Sequence, residues 1–266
     1  LGSGNGTIQF QDPRYLPTAG VVLVHGFDPW VETKGGIFSL SSQLYHPDVM
    51  HPDGARRIEQ FKADPWPQWI YSLEDGTKIQ FEIFARNGAS VTVLAWRLLA
   101  PKPKAILSFR PFFSGRDYHS MHHENGAFQF EPQIQGKHLM WHPYSGVPGI
   151  IALSNGEYRH QPDWYRNFLY EQERSRGLDS TEDLAAPGVI SWDLSCGDAV
   201  CILAAGGFEN GLLATHSPAE DLAAALRRAE LRRRQKFFLT LDRFADAYLV
   251  KRRSGKRSSP TSRMLN

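Results

Sequence analysis

From Thr7 to about Ala205 the hydrophobic period of this chain is two, and that restricts it to strands whose side chains alternate between two faces. Trp69, Tyr71 and Leu73 alternate with polar residues, Glu74-Asp75-Gly76 turns the chain, and Ile79, Phe81 and Ile83 alternate back, the signature of a hairpin. The same grammar recurs at Val91–Trp96, Ile106–Phe109, Phe128–Phe130, Leu139–Trp141 and Ile150–Leu153, and in a last hairpin from Ile190–Leu194 to Ala199–Leu203. Short strands punctuated by turns and uninterrupted by crossover helices predict two packed antiparallel sheets, a large mainly-β sandwich over residues 1–216. The polar and aromatic stretch Asp163–Ala186 reads as a long functional loop with some local helix.

After Ser217 the period changes to 3.6. Ser217-Pro218-Ala219-Glu220 reads as a capping box with proline at the first helical position, opening a helix over 217–250. Leu222, Leu226, Ala229, Phe237, Leu241, Phe244 and Tyr248 form one apolar stripe along it, about 50 Å long and broken at Arg233. So long a stripe needs a partner, either a further domain or a second copy of the chain in a homodimer. Residues 251–266, basic and Ser-rich, read as a disordered tail.

With 41% hydrophobic residues and 12% aromatics among 266, the chain can bury a full core. Its 30 basic and 28 acidic residues leave a net charge of +2, which argues against nucleic acid as the main partner. The longest apolar runs, 20–24 and 199–207, fall well short of the roughly 20 residues of a membrane span. With no leader-like N-terminus, a cytoplasmic protein with no membrane partner is expected. Cys196 and Cys201 flank a Gly-Asp turn and could face each other across strands; a reduced pair is the reading that fits a cytosolic setting.

Two segments carry chemistry. Gly115-Arg116-Asp117-Tyr118-His119-Ser120 and Pro162-Asp163-Trp164-Tyr165-Arg166-Asn167-Phe168 each gather guanidinium, carboxylate, aromatic and imidazole or amide groups between strand-like runs. Planar donors and acceptors suit hydroxyls and aromatic faces suit sugar C–H surfaces, so the chemistry points to carbohydrate. The plainer reading of Arg116–His119 is an Arg–Asp pair in a tight loop at a sheet edge. Of Trp164 and Tyr165, adjacent and large, one should pack inward and the other stay free to stack on a sugar or a partner domain. His119, His122, His123 and Glu124 have metal-ligand residue types but no defined zinc spacing, so neither a metal nor any other cofactor is expected. Val22-Leu23-Val24-His25-Gly26 suggests an oxyanion-hole turn, but no Gly-x-Ser-x-Gly elbow accompanies it.

These two segments, with Phe61–Trp69 and Arg176–Gly188, resemble the N-terminal domain of bacterial and archaeal glycogen debranching enzymes, the amylo-α-1,6-glucosidase family. The resemblance runs from about Arg14 to about Arg252. Near the start the family carries Asn-Thr-Arg-Arg-Tyr-His, where this chain has Gln11-Asp12-Pro13-Arg14-Tyr15-Leu16 without the histidine. The resemblance implies that the catalytic carboxylates belong to an (α/α)₆ barrel following the helix, which this chain, stopping at Asn266, does not include. It further implies a non-catalytic domain that packs on that barrel and lends Arg116, Asp117, Tyr118, His119, Trp164, Tyr165 and Arg166 to an α-glucan cleft. A stand-alone carbohydrate-binding or scaffold protein is the alternative.

Overall fold

The computed structural model describes residues 8–10, 20–101, 104–207 and 217–237. They form two eight-stranded sheets in which every pairing is antiparallel. The first sheet runs β1 (Ile8–Phe10), β2 (Val21–Thr33), β10 (Ala105–Asp117), β15 (Thr181–Asp193), β14 (Glu157–Leu169), β4 (Gln43–Tyr45) and β5 (Val49–His51), with β3 (Gly36–Ser39) hairpinned onto β2. The second runs β11 (Gln133–Gln135), β12 (His138–Trp141), β13 (Ile150–Ser154), β16 (Ala199–Ala205), β9 (Val91–Leu98), β8 (Lys78–Ala85), β7 (Gln68–Ser72) and β6 (Ile58–Lys62). The expected mainly-β sandwich is the observed fold.

Alternation explains the core. Leu107, Phe109 and Phe113 of β10 point between the sheets, as do Leu94 and Trp96 of β9, while Phe112 faces outward. Trp96 sits at the centre, stacked on Phe81 at 4.8 Å and edge-on to Phe109 at 5.4 Å, with Trp192 at 5.9 Å. Stacked and edge-to-face aromatics at these distances add to the burial energy of each ring. Cys196 is exposed and Cys201 buried, both as free thiols, and burial pushes the Cys201 thiol up to about 12.

The outer face of the second sheet is covered by α2 (Ala219–Arg234), whose Ala219, Ala223 and Leu226 pack on Val93, Ile151 and Ile202. Arg227 of α2 bonds Glu82 of β8, which also accepts the indole N–H of the buried Trp66 at 2.9 Å. The expected capping box does not form: Pro218 is the N-cap and no side chain caps the helix. The expected stripe also deviates. One turn beyond Leu226 the buried position belongs to Glu230, not Ala229. Burial pushes that carboxyl up, but bonds from Arg233 and Arg234 outweigh it and hold it below the usual range. Phe237 is half-buried beside Arg233, whereas Leu241, Phe244, Tyr248, the 251–266 tail and the Gln11–Leu16 run lie outside the described residues.

Two further expectations need correction. Asp163–Ala186 is not a loop: it comprises the end of β14, the short α1 (Glu171–Ser175) and the start of β15. Phe128–Phe130 is irregular rather than a strand, and Phe128 is buried because it plugs the gap beside Trp164. At the sheet margin β6 is exposed throughout, with Phe61 and Ile58 among the exposed large hydrophobics and Glu59 paired with Lys78 at 2.7 Å.

Removing the central ring tests this core. Trp96→Ala should cost about 3–5 kcal/mol, the range for deleting a buried tryptophan, read as a lowered urea midpoint; an unchanged midpoint would place the stabilising centre elsewhere.

Candidate functional site

The first residues of β15 hold the two predicted segments together, because β15 lies between β10 and β14 in the sheet. Glu182 has no exposed surface. Its carboxylate accepts two bonds from the Arg116 guanidinium, one from the His122 backbone N–H at 3.1 Å and one from the Tyr170 hydroxyl at 2.5 Å. Four donors saturate the oxygens, which is what keeps a charged group tolerable in the interior. Tyr170 gives its proton to Glu182, so at 3.0 Å it accepts from His25 Nε2, and His25 Nδ1 is left without a hydrogen-bond partner 3.7 Å from Glu182. Burial, against the pull of Glu182 and with the push of Arg116, lowers the His25 pKa. Burial and the neighbouring carboxylate raise that of Tyr170 well above its ordinary value.

A second chain of bonds supports the adjoining loop. Asn125 donates to the Tyr144 hydroxyl at 2.7 Å, and Tyr144 and His122 Nε2 are 2.6 Å apart. His122 Nδ1 lies 2.8 Å from the Asp183 carbonyl, which can only accept, so Nδ1 carries the proton and Nε2 receives that of Tyr144. Burial lowers the His122 pKa as well. The Asp183 carboxylate accepts the backbone N–H groups of Glu124 at 3.1 Å and of Asn167 at 2.9 Å, clasping loop and strand. Asn167 takes φ 65°, a left-handed conformation that asparagine tolerates.

The seven predicted residues separate within this frame. Arg116 is largely buried, its guanidinium bonded to Glu182. Asp117 stays local, accepting the His119 N–H at 2.8 Å. Tyr118 and His119 are exposed, their rings 3.7 Å apart. Trp164 and Tyr165, consecutive on a strand, pack on opposite faces, so neither is the wholly free ring the sequence suggested. Trp164 faces inward against His122 at 5.3 Å and Phe128 at 5.4 Å. Tyr165 faces outward against Phe112 at 5.1 Å, with the Arg110 guanidinium over it at 5.0 Å and Trp30 beyond. Arg166 is exposed and paired with Glu124. The exposed groups of the two segments are Tyr118, His119, His123, Glu124 and Arg166, of which Glu124 and Arg166 pair directly, and Trp164 is half-buried. Sequence reasoning did not single out Tyr170 or Tyr144, met Glu182 and Asp183 only inside the Arg176–Gly188 segment without giving them a role, and weighed His25 only as part of an oxyanion-hole turn. Among the described residues no cluster of His, Cys, Asp or Glu could hold a metal, and no helix is long and apolar enough to cross a membrane.

The arrangement is that of a β-sandwich with a rigid, hydrogen-bonded rim of aromatic, imidazole and ion-paired groups. The chain belongs to the family described as the N-terminal domain of glycogen debranching enzymes, whose match spans residues 12–201. Among solved structures it is similar to a bacterial glucoamylase complexed with acarbose, at 9% identity and a TM-score of 0.39, over 80% of this chain and 31% of that one. The chain thus spans about a third of that protein's length. No match was found among curated proteins.

Two outcomes test the buried network. Arg116→Ala leaves the Glu182 charge unpaired and should cost about 3–5 kcal/mol, whereas Tyr118→Ala should leave the denaturant midpoint nearly unchanged. Because His25 and His122 have depressed folded-state values, stability should be complete above about pH 6.5, their ordinary value, and be lost as pH falls from there toward the folded values. Urea midpoints at pH 7.5 and pH 5.5 should differ less for His25→Gln than for the parent chain; an equal loss removes His25 from the account.

Proposed function

We propose that this chain is the non-catalytic N-terminal domain of a glycogen-debranching α-1,6-glucosidase, packing on a catalytic (α/α)₆ barrel and lending its rim to an α-glucan cleft. The observation that carries this reading is the meeting of the Arg116–Glu124 and Trp164–Asn167 segments at β15 within the matched span of a debranching-enzyme family. In it Tyr118, His119 and Arg166 meet the glucan directly, with the edge of Trp164 beneath, while Arg116, Asp117 and Tyr165 hold the rim in shape. An exposed ring pair and a guanidinium suit sugar C–H faces and hydroxyls. A partial cleft binds weakly, since a site builds affinity by enclosing its ligand. Glycoside hydrolysis requires a positioned pair of carboxyl groups with water or nucleophile access. Glu182 is saturated by four donors and Glu124 is held by Arg166, so neither is offered here as acid or base. The rest of the apolar stripe, Leu241 to Tyr248, is assigned in this reading to contact with the barrel, or with a second copy of the chain when the barrel is absent.

Titration with malto-oligosaccharide should move the backbone resonances of Tyr118, His119 and Arg166 together, with millimolar affinity that Tyr118→Ala and Arg166→Ala each reduce. The purified 266-residue chain should release no glucose from a limit dextrin. Silence of both segments at saturating oligosaccharide, or measurable hydrolysis, would sink the reading.

A further inference from the structure

The second sheet carries a cavity on its outer face, between β7, β8, β9 and the covering α2. Its volume is about 310 Å³, at the lower end of the roughly 300–1,000 Å³ that small-molecule sites occupy. Ala95 of β9 forms part of the floor, and the polar walls are Gln68, Gln80, Glu82, Arg97, Asp198 and Arg227. The charges cancel in pairs. Arg227 bonds Glu82, with Nε at 2.9 Å, and Arg97 bonds Asp198 through two nitrogens at 2.9 and 2.7 Å. An ion entering the cavity would have to break one of these pairs to find a counter-charge. The Nη1 groups of both arginines and the second carboxylate oxygen of Asp198 take no part in those bonds. Gln68 Nε2 donates to Glu82 at 3.4 Å and the two glutamine amides meet at 3.5 Å, both near the outer limit of a hydrogen bond.

We propose that this cavity is a second ligand site, for a small neutral polyhydroxylated molecule of one or two sugar rings. Guanidinium, amide and carboxylate groups supply the donors and acceptors that hydroxyls bond, and a balanced charge set favours a ligand that brings no charge. The rim of the first sheet supplies no wall of this cavity, so the proposal does not rest on the reading of that rim. Because Arg227 and Leu231 of α2 close one side, a bound ligand bridges sheet and helix and stabilises their contact.

The test is an NMR titration of the full chain with maltose, following the Trp66 indole N–H, which reports on Glu82, and the side-chain N–H groups of Gln80 and Arg227. The three should shift together and saturate. Ala95→Leu, which fills the floor, should abolish the shifts, and Gln80→Ala, which leaves both ion pairs intact, should weaken binding about tenfold. Tyr118→Ala, which alters only the exposed rim, should leave them unchanged; if it removes them, the cavity is no independent site and the proposal fails. It also fails if maltose at tens of millimolar moves none of the three, or if inorganic phosphate competes for them. Should Ala95→Leu not fold, Gln80→Ala decides: undiminished binding in that variant overturns the site.

Discussion

A carboxylate with no exposed surface must be supplied with donors from its surroundings, and Glu182 imposes that demand on the whole first-sheet rim. Its four donors come from the end of β10, the loop after it and the residue before α1, so satisfying one side chain fixes the relative position of three chain segments. Breaking any one of those bonds leaves a polar group buried without compensation, which is costlier than the bond itself is worth. The rim is thus held by a penalty against rearrangement more than by the sum of its attractions. Asp183, next along the strand, repeats the device with backbone donors on the opposite side.

Much of the fold was legible because turn residues punctuate short apolar runs and strands such as β8 alternate in burial, even though β9, β13 and β16 are buried on both faces. The stretch 163–186 was not, and its burial explains why. From Glu157 to Arg166 almost every residue of β14 is exposed or half-exposed on both faces, so no period of two survives. At the C-terminal end of the same strand Phe168 and Leu169 are both buried, again without alternation. Pairing with β15, and with β4 at Phe168, makes it a strand.

The rim was half legible. Arg116 and Trp164 have the residue types of a sugar site, but what they do depends on residues far along the chain. Arg116 meets Glu182 across 66 positions. A lone glutamate within Thr181–Ala186 looks like an ordinary polar residue of a loop until its partner is known. The adjacency of Trp164 and Tyr165 did show that they diverge; that both would find protein partners depended on Phe128 and Arg110, which strand pairing and loop path bring to them. The helix shows the same limit, since Glu230 interrupts an apolar pattern and is tolerated only through Arg233 and Arg234.

The margin at β6 has a consequence for handling the molecule. An open strand with exposed apolar side chains is a template for a neighbouring chain, and natural sheets guard such margins with charge. Here Glu59, Lys62 and Lys78 stand on or beside the strand that bears Ile58 and Phe61. Charge repels an incoming strand only while it is unscreened, and the Debye length shrinks from about 10 Å at 0.1 M salt to about 3 Å at 1 M. Concentrated salt therefore disarms the guard while strengthening the attraction between the rings, so the colloidal behaviour of this domain is governed at its margin and not by its core.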